Sequence, residues 1–242
     1  TPDKTDVYVQ PPVVIWLDAS DYRPGVQSSG IQRIEYRRQG ESAWAVGNQI
    51  VVDGSEGDGA YVYECRAHDR AGNVSIPITT SVRADGTPPL QPAELTATPD
   101  RWVNRNGGFG LHWENPSDFS GVVGVYYQVD VDPIDSLEPT YVSEDGIKAL
   151  TGLFVTGEGK HTIYIWLRDA AGNHTEYSRA ELADAFLLDL SPPVSDAPEV
   201  RGVLGCDAVH YTGPVTITLR GHDDLSGLAR FHYQIDGGGW IT

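Results

Sequence analysis

Asp118-Phe-Ser-Gly121-Val-Val-Gly-Val125-Tyr-Tyr127-Gln-Val129 is the stretch on which the fold turns. Apolar or aromatic residues stand one, four, six and eight places after Gly121. The even spacing of the last three puts one face of a β-strand against a core. The pattern returns at Asp224-Leu-Ser-Gly227, with Leu228, Phe231, Tyr233 and Ile235 at the same offsets. It returns once more after Ser29-Gly30, with Ile31, Ile34 and Tyr36, its aspartate displaced to Asp21 by the insertion Tyr22 to Gln27. There the eighth place is Arg38, so that strand is expected to leave the core early. Gly30, Gly121 and Gly227 are therefore read as equivalent turns, and Tyr36, Tyr127 and Tyr233 as equivalent core positions. Trp44 and Trp240 follow glycine-containing turns, as in a hairpin.

Two further features repeat around this one. Tyr61, Tyr63, Cys65 and Ala67 alternate into Asp69-Arg-Ala-Gly72-Asn73. One hundred residues later His161, Ile163, Ile165 and Leu167 alternate into Asp169-Ala-Ala-Gly172-Asn173. Glycine tolerates the left-handed backbone of such a turn, and aspartate bonds the neighbouring amides. The other feature is a linker, Asp85-Gly-Thr-Pro-Pro89 and again Asp189-Leu-Ser-Pro-Pro193. Paired prolines lack donors and favour extended chain, so they end a sheet and stiffen a joint. Thr1-Pro2 reads as the tail of an earlier copy. Before each turn comes another alternating run: Val13, Ile15 and Leu17; Leu111 and Trp113; Val215, Ile217 and Leu219.

The chain is expected to be all-β, with tandem immunoglobulin-like sandwiches in an elongated array. Residues 1–87 form repeat one, with a short or missing first strand, and 88–192 form repeat two. Residues 193–242 form the N-terminal part of an incomplete repeat three. Glu176 to Phe186 is alanine-rich enough for a helical turn, but its place after the Gly-Asn turn predicts the last strand of repeat two. The two ends read as a fragment cut from a longer array. The alternative is half-sandwiches completed by strands of a neighbouring subunit, since unpaired sheet edges template such pairing.

These motifs resemble the immunoglobulin-like repeats of bacterial surface and secreted proteins: Asp-x-Ser-Gly, a strand with tyrosine, a glycine hairpin with tryptophan, then Asp-x-Ala-Gly-Asn. Tyr63-x-Cys65-x-Ala67-x-Asp69-x-x-Gly72-x-x-Ser75 is also similar to the end of a fibronectin type III domain, as is Leu111-x-Trp113 before Pro116. Repeat two departs from that ending, with Ile163 in place of the tyrosine. The resemblance covers almost the whole chain. It implies stalks, adhesins, surface assemblies or spacers in secreted enzymes, and it brings no catalytic residue with it.

Composition agrees with many turns: 27 glycines and 16 prolines in 242 residues. Thirty-four acidic against 17 basic residues give a net charge of -17. That surface repels a phosphate backbone, which argues against nucleic-acid binding and against anionic membrane. No apolar run reaches the length of a transmembrane helix. Cys65 and Cys206 fall in non-adjacent repeats, and no disulfide between them is expected.

Paired carboxylates (Asp18 with Asp21, Asp130 with Asp132, Asp223 with Asp224) sit at strand ends, where aspartate is common, and no catalytic residue is assigned. Calcium is the one candidate cofactor: Asp53, Glu56 and Asp58, with Asp118 and Asp224 of the Asp-x-Ser-Gly turns, offer the oxygens a hard cation takes. Solvated turns explain the same residues. No zinc set is found among the histidines. Tyr164 and Trp166 lie opposite the inward Ile163, Ile165 and Leu167, and Trp16 opposite Val13 and Ile15. These three are the candidate interaction residues, for a subunit or domain interface or for a sugar. Packing under a loop competes with that role. Asn73-Val-Ser75 and Asn173-His-Thr175 fit the glycosylation acceptor pattern, although turn geometry accounts for both.

The function expected is a non-catalytic extracellular structural or interaction protein of surface assembly or adhesion. It would self-associate or bind other surface proteins. The alternative is an accessory spacer or carbohydrate-binding module of a secreted carbohydrate-active enzyme, with glycans as partners.

Overall fold

The computed structural model describes residues 7–22, 24–135 and 138–242. The expected linker tail Thr1-Pro2 lies outside them. Two compact units are distinguished: Thr1–Thr96, His112–Ala149 and Ile163–Leu182 in the first, and Ala97–Leu111, Leu150–Thr162 and Ala183–Thr242 in the second.

The first seven strands are β1 (Tyr8–Val9), β2 (Val13–Trp16), β3 (Ile31–Arg38), β4 (Ala45–Val46), β5 (Gln49–Val52), β6 (Gly59–Asp69) and β7 (Ile78–Ala84). They build a five-stranded sheet in the order β1-β7-β6-β3-β4 and a two-stranded sheet β2-β5. Alternation fixes which face is buried. Val52, Tyr61 and Ala84 form a core cluster with Val13, Tyr63 and Val82 packed on it, so the two sheets close as a sandwich.

Strands β8 (Ala93–Thr98), β9 (Phe109–Glu114), β10 (Val122–Val129), β11 (Thr140–Ser143), β12 (Ala149–Leu153), β13 (Gly159–Asp169) and β14 (Ala180–Leu188) repeat the plan. Their sheets run β11-β10-β13-β14 and β12-β9-β8. That is the two-sheet arrangement of an immunoglobulin or fibronectin III-like sandwich. Phe109, Leu111 and Trp113 form the buried face of β9, and Ile163, Ile165 and Leu167 that of β13. Phe109 stacks on Phe186 of β14 at 4.7 Å, tying one sheet to the other. Glu176–Ser178 is a single 3-10 turn, capped by the Thr175 side chain, and the strand expected after it is β14.

Equivalence of the two sandwiches extends to irregularities. Tyr36 lies opposite Cys65 and Tyr127 opposite Ile165, positions that each stand four residues before the turn aspartate. Both ladders slip at the same place, between Ile31 and Arg33 and between Val122 and Gly124. Such bulges bend the strand and sharpen its local twist. Gly30, Gly121 and Gly227 all have φ near 80°, where a side chain would be strained.

Past Pro193 the chain contributes only β15 (Val194–Ser195), β16 (Glu199–Arg201), β17 (Thr216–Thr218) and β18 (Gly221–His222), paired as β15-β18 and β16-β17. The expected core position Tyr233 is 39% exposed there, in contrast to its half-buried counterparts Tyr36 and Tyr127. The reason is that a strand face becomes a core only when a neighbouring strand and a second sheet cover it. Among the described residues Leu228–Ile235 has just one bridge, Tyr233 to Ile241. Val215 and Ile217, expected to point inward, are exposed for the same reason.

Candidate functional site

The most highly built polar structure in the chain is where the linker after β7 meets the turns before β10 and after β13. All its residues belong to the first compact unit. Asp85 is held by its backbone, its amide donating to the Val9 carbonyl at 3.0 Å. Its carboxylate accepts from the amides of Thr87 and Ser120, both at 3.1 Å. Asp118 accepts from the Ser120 and Gly121 amides, closing the Asp-x-Ser-Gly turn. Asp169 accepts from the Gly172 and Asn173 amides and the Asn173 side chain, each at 2.7 Å. Asn173, 5% exposed, also donates to the Asp85 carbonyl at 2.9 Å and accepts from Gln10 Nε2 at 2.6 Å. Tyr8 meets Phe119 edge-on at 5.5 Å beside it.

Three carboxylates thus converge, with oxygens of Asp85, Asp118 and Asp169 within 4.8 Å of one another; Asp85 and Asp169 are buried. Burial first, and then the Asp85 charge, pushes the Asp118 carboxyl above its ordinary value. Burial likewise raises Asp169, against the bonds from Asn173 and with help from Asp85 and Asp118. Crowding like this is relieved by a proton or by a hard cation.

A raised folded-state value means that the folded protein binds the proton more tightly than the unfolded chain does. Stability from these two groups is therefore gained as pH falls through the raised values and is absent above them. Asp118→Asn keeps the acceptor oxygen and removes a charge. It should raise the melting temperature at pH 7 in chelator, equivalent to about 0.5–1 kcal/mol after solvent screening. The advantage should shrink as pH falls; a lower melting temperature at pH 7 would contradict this.

The five expected calcium ligands are not brought together. Asp53 is turned onto Ser55, Glu56 pairs with Arg38, and Asp58 accepts from the Gly86 amide. In the turn before Gly227 the accepting carboxylate belongs to Asp223, one residue earlier than the expected Asp224. Among the described residues the group placed to hold a cation is Asp85, Asp118 and Asp169, which includes Asp118 of the five. Sequence reasoning left out Asp85 and Asp169 as ligands and Gln10 altogether. The signal for Asp85 was its recurrence as Asp189 at the head of both Pro-Pro linkers.

The aromatic candidates divide. Trp16 is 71% exposed, beside the exposed Val14 and Val51 on the outer face of β2-β5. Tyr164 is half-buried, with the Arg179 guanidinium 5.9 Å from its ring. Trp166, on the outer face where an interaction and plain packing were both open, is 3% exposed: it stacks on Tyr126 at 5.5 Å, and Tyr141 and His174 flank Tyr126. Its cross-strand partners carry rings large enough to roof the outer face, which alternation along one strand does not show. Of the two glycosylation patterns, Asn73 is exposed, whereas Asn173 is buried with its amide engaged, which closes it to modification. Both cysteines are free, Cys65 buried and Cys206 exposed.

On repeat one, the Arg37 and Arg66 guanidiniums lie against the Trp44 ring, 4.5 and 4.0 Å from its centroid. Buried Glu35 binds Arg33, Arg66 and His68; the Arg33 bond above all lowers its carboxyl to about 2. This network braces the outer face of β3-β6.

Strand order, paired sheets and repeated turns define a tandem β-sandwich protein of the immunoglobulin and fibronectin III-like kind. Solved structures of similar fold include the chicken CNTN1 FN1–FN3 domains, at 11% identity and a TM-score of 0.46 over 73% of this chain and 61% of that one. The fibronectin(III)-like modules of Clostridium thermocellum CbhA match at 14% identity and 0.39, over 78% and 91%. A run of titin domains matches at 11% and 0.41, over 74% and 61%. The chain spans about three fifths of the length of the first and third of these structures. Likeness at this level carries no argument about function. No protein-family model matches the chain, and no curated protein does. No helix among the described residues is long and apolar enough to cross a membrane.

Proposed function

We propose that the chain is a non-catalytic structural or interaction module of an extracellular protein, a row of three sandwich repeats (1–87, 88–192 and the partial 193–242) that serves surface assembly or adhesion. The joint carries the reading. A flexible linker has no use for buried hydrogen bonds, whereas Asp85, Asp118, Asp169 and Asn173 fasten the end of one sandwich to the next. The acidic surface would keep such a row soluble until a specific face meets its partner, a further copy or another surface protein. Electron microscopy and sedimentation of the purified chain with concentration test this. Ordered polymers or discrete oligomers support it. A monomer at all concentrations that binds glycans through Trp16 favours instead the accessory module of a carbohydrate-active enzyme, for which the exposed Trp16 face speaks.

We also propose calcium as the cation of the joint, held by Asp85, Asp118 and Asp169. Its binding would add stiffness at the place where rigidity matters. Millimolar calcium should then raise the melting temperature of the wild type by several degrees and leave Asp118→Asn unmoved. Equal shifts in both, or none, would remove calcium from the account.

A further inference from the structure

In a chain of net charge -17, the outer face of the five-stranded sheet of repeat one is basic. Register sets its charged residues side by side. Arg33 lies opposite His68, Glu35 opposite Arg66, Arg37 opposite Glu64 and Arg83 opposite Ala60. The core residues Tyr61, Tyr63 and Val82 point the other way. Four arginines therefore share this face with two glutamates. At the sheet's edge Val46 of β4 stands opposite Glu35 and is 67% exposed. Next to it the Trp44 ring carries the Arg37 and Arg66 guanidiniums. Arg37 gives Nε and Nη2 to Glu64, and Arg66 gives the same two nitrogens to Glu35. That leaves Nη1 of each, among the described residues, to donate beside the tryptophan.

The inverse pattern stands on the turn after β10. No lysine or arginine occurs between Arg105 and Lys148, a stretch that holds eight acidic residues. Asp130-Val-Asp-Pro-Ile-Asp135 leaves β10 as a hydrogen-bonded turn. The Asp132 carboxylate accepts from Ile134 N at 2.9 Å, and the Asp132 carbonyl from Asp135 N at 2.8 Å. Arg179 pins Asp132 at 2.7 Å. Val131 and Ile134 are 43% and 50% exposed, flanked by exposed Asp130 and Asp135. A fixed turn showing two apolar side chains between carboxylates is pre-organised for a surface of opposite charge and like apolarity.

We propose that the turn Asp130–Asp135 of one copy docks on the Trp44–Val46 edge of the basic face of a second copy. Val131 and Ile134 cover Val46 and the Trp44 ring, while Asp130 and Asp135 meet Nη1 of Arg37 and Arg66. A sulfated glycan would match the charge but would leave Val46, and the apolar side chains of the turn, uncovered. The contact joins two different surfaces, so it passes from copy to copy as a ring or a filament. The inference rests on the assembly reading above and names the surfaces that assemble.

Two surface variants of the 242-residue chain test it. Arg37→Gln with Val46→Ser alters the face, and Ile134→Lys with Asp135→Lys alters the turn. Melting temperatures should stay within about 2 °C of wild type, because neither pair enters a core. In sedimentation the wild type should associate with rising concentration and come apart in about 0.5 M salt, where screening leaves charges a reach of a few Å. Each variant should self-associate about tenfold more weakly. An equimolar mixture of the two should form a discrete heterodimer, since one variant keeps the turn and the other keeps the face. If the face variant unfolds, the turn variant decides the matter alone. Wild-type association that the turn variant does not weaken overturns this contact and leaves assembly to another surface. A wild type monomeric at every concentration overturns both readings, and heparin binding lost with Arg37→Gln would then give the face to a polyanionic glycan.

Discussion

Trp113→Ala should destabilise the protein by about 3–5 kcal/mol, the range for truncating a fully buried large aromatic. Trp113 has no exposed surface and is the largest of the fully buried side chains. Its indole N–H donates to Asn115 at 2.8 Å, and Asn115 in turn donates to the Ile147 carbonyl at 3.0 Å. Alanine therefore leaves both a cavity and an acceptor without its donor. Trp113→Phe keeps most of the volume and should cost less. Urea unfolding at 25 °C reads this as a fall in midpoint at unchanged slope. A loss under 1 kcal/mol would mean that β9 does not face a packed core.

Asn173→Ala should cost about 2–4 kcal/mol, because a buried amide that serves three partners is removed and their groups stay buried. The donors to Asp85 and Asp169 go, and so does the acceptor for Gln10. Asn73→Ala is the control. Asn73 makes the same local bond, to Asp69 at 2.7 Å, but it is exposed and water replaces what is lost. Its cost should stay near 0.5 kcal/mol. Melting temperatures of the two variants read the difference directly. Equal effects would reduce the joint to an ordinary turn.

The contrast between those two asparagines shows how far the sequence could be read. Both turns were legible as turns, since glycine at positive φ and an aspartate bonding amides are local chemistry. The strand pattern after Gly30 and Gly121 was legible because alternation reflects the pleat. What makes Asn173 buried is the arrival of Asp85 and Gln10, 88 and 163 residues away in the chain, and no local spacing encodes that. Whether Trp166 packs or stands free was not legible on the same ground: the neighbours that roof it sit on other strands. Tyr233 matched its copies in sequence, yet its burial depends on strands that the described residues do not place beside it. The acidic loop candidates found other partners, Asp53 the Ser55 amide of its own turn, Glu56 the Arg38 guanidinium and Asp58 the Gly86 amide. Asp118 instead found its carboxylate neighbours across the joint.

The claim beneath all of this is that β3 and β10 are equivalent strands paired in one register with β6 and β13. Cysteine cross-linking measures it directly, since a disulfide needs Cα atoms within about 7 Å and Cβ vectors that face each other, which residues on opposite faces of the sheet do not have. Tyr36→Cys should oxidise onto the native Cys65, and Tyr127→Cys together with Ile165→Cys should do the same, whereas Tyr126→Cys with Ile165→Cys should not. Efficient bridging of the displaced pair, or failure of both aligned pairs in folded protein, would contradict the account.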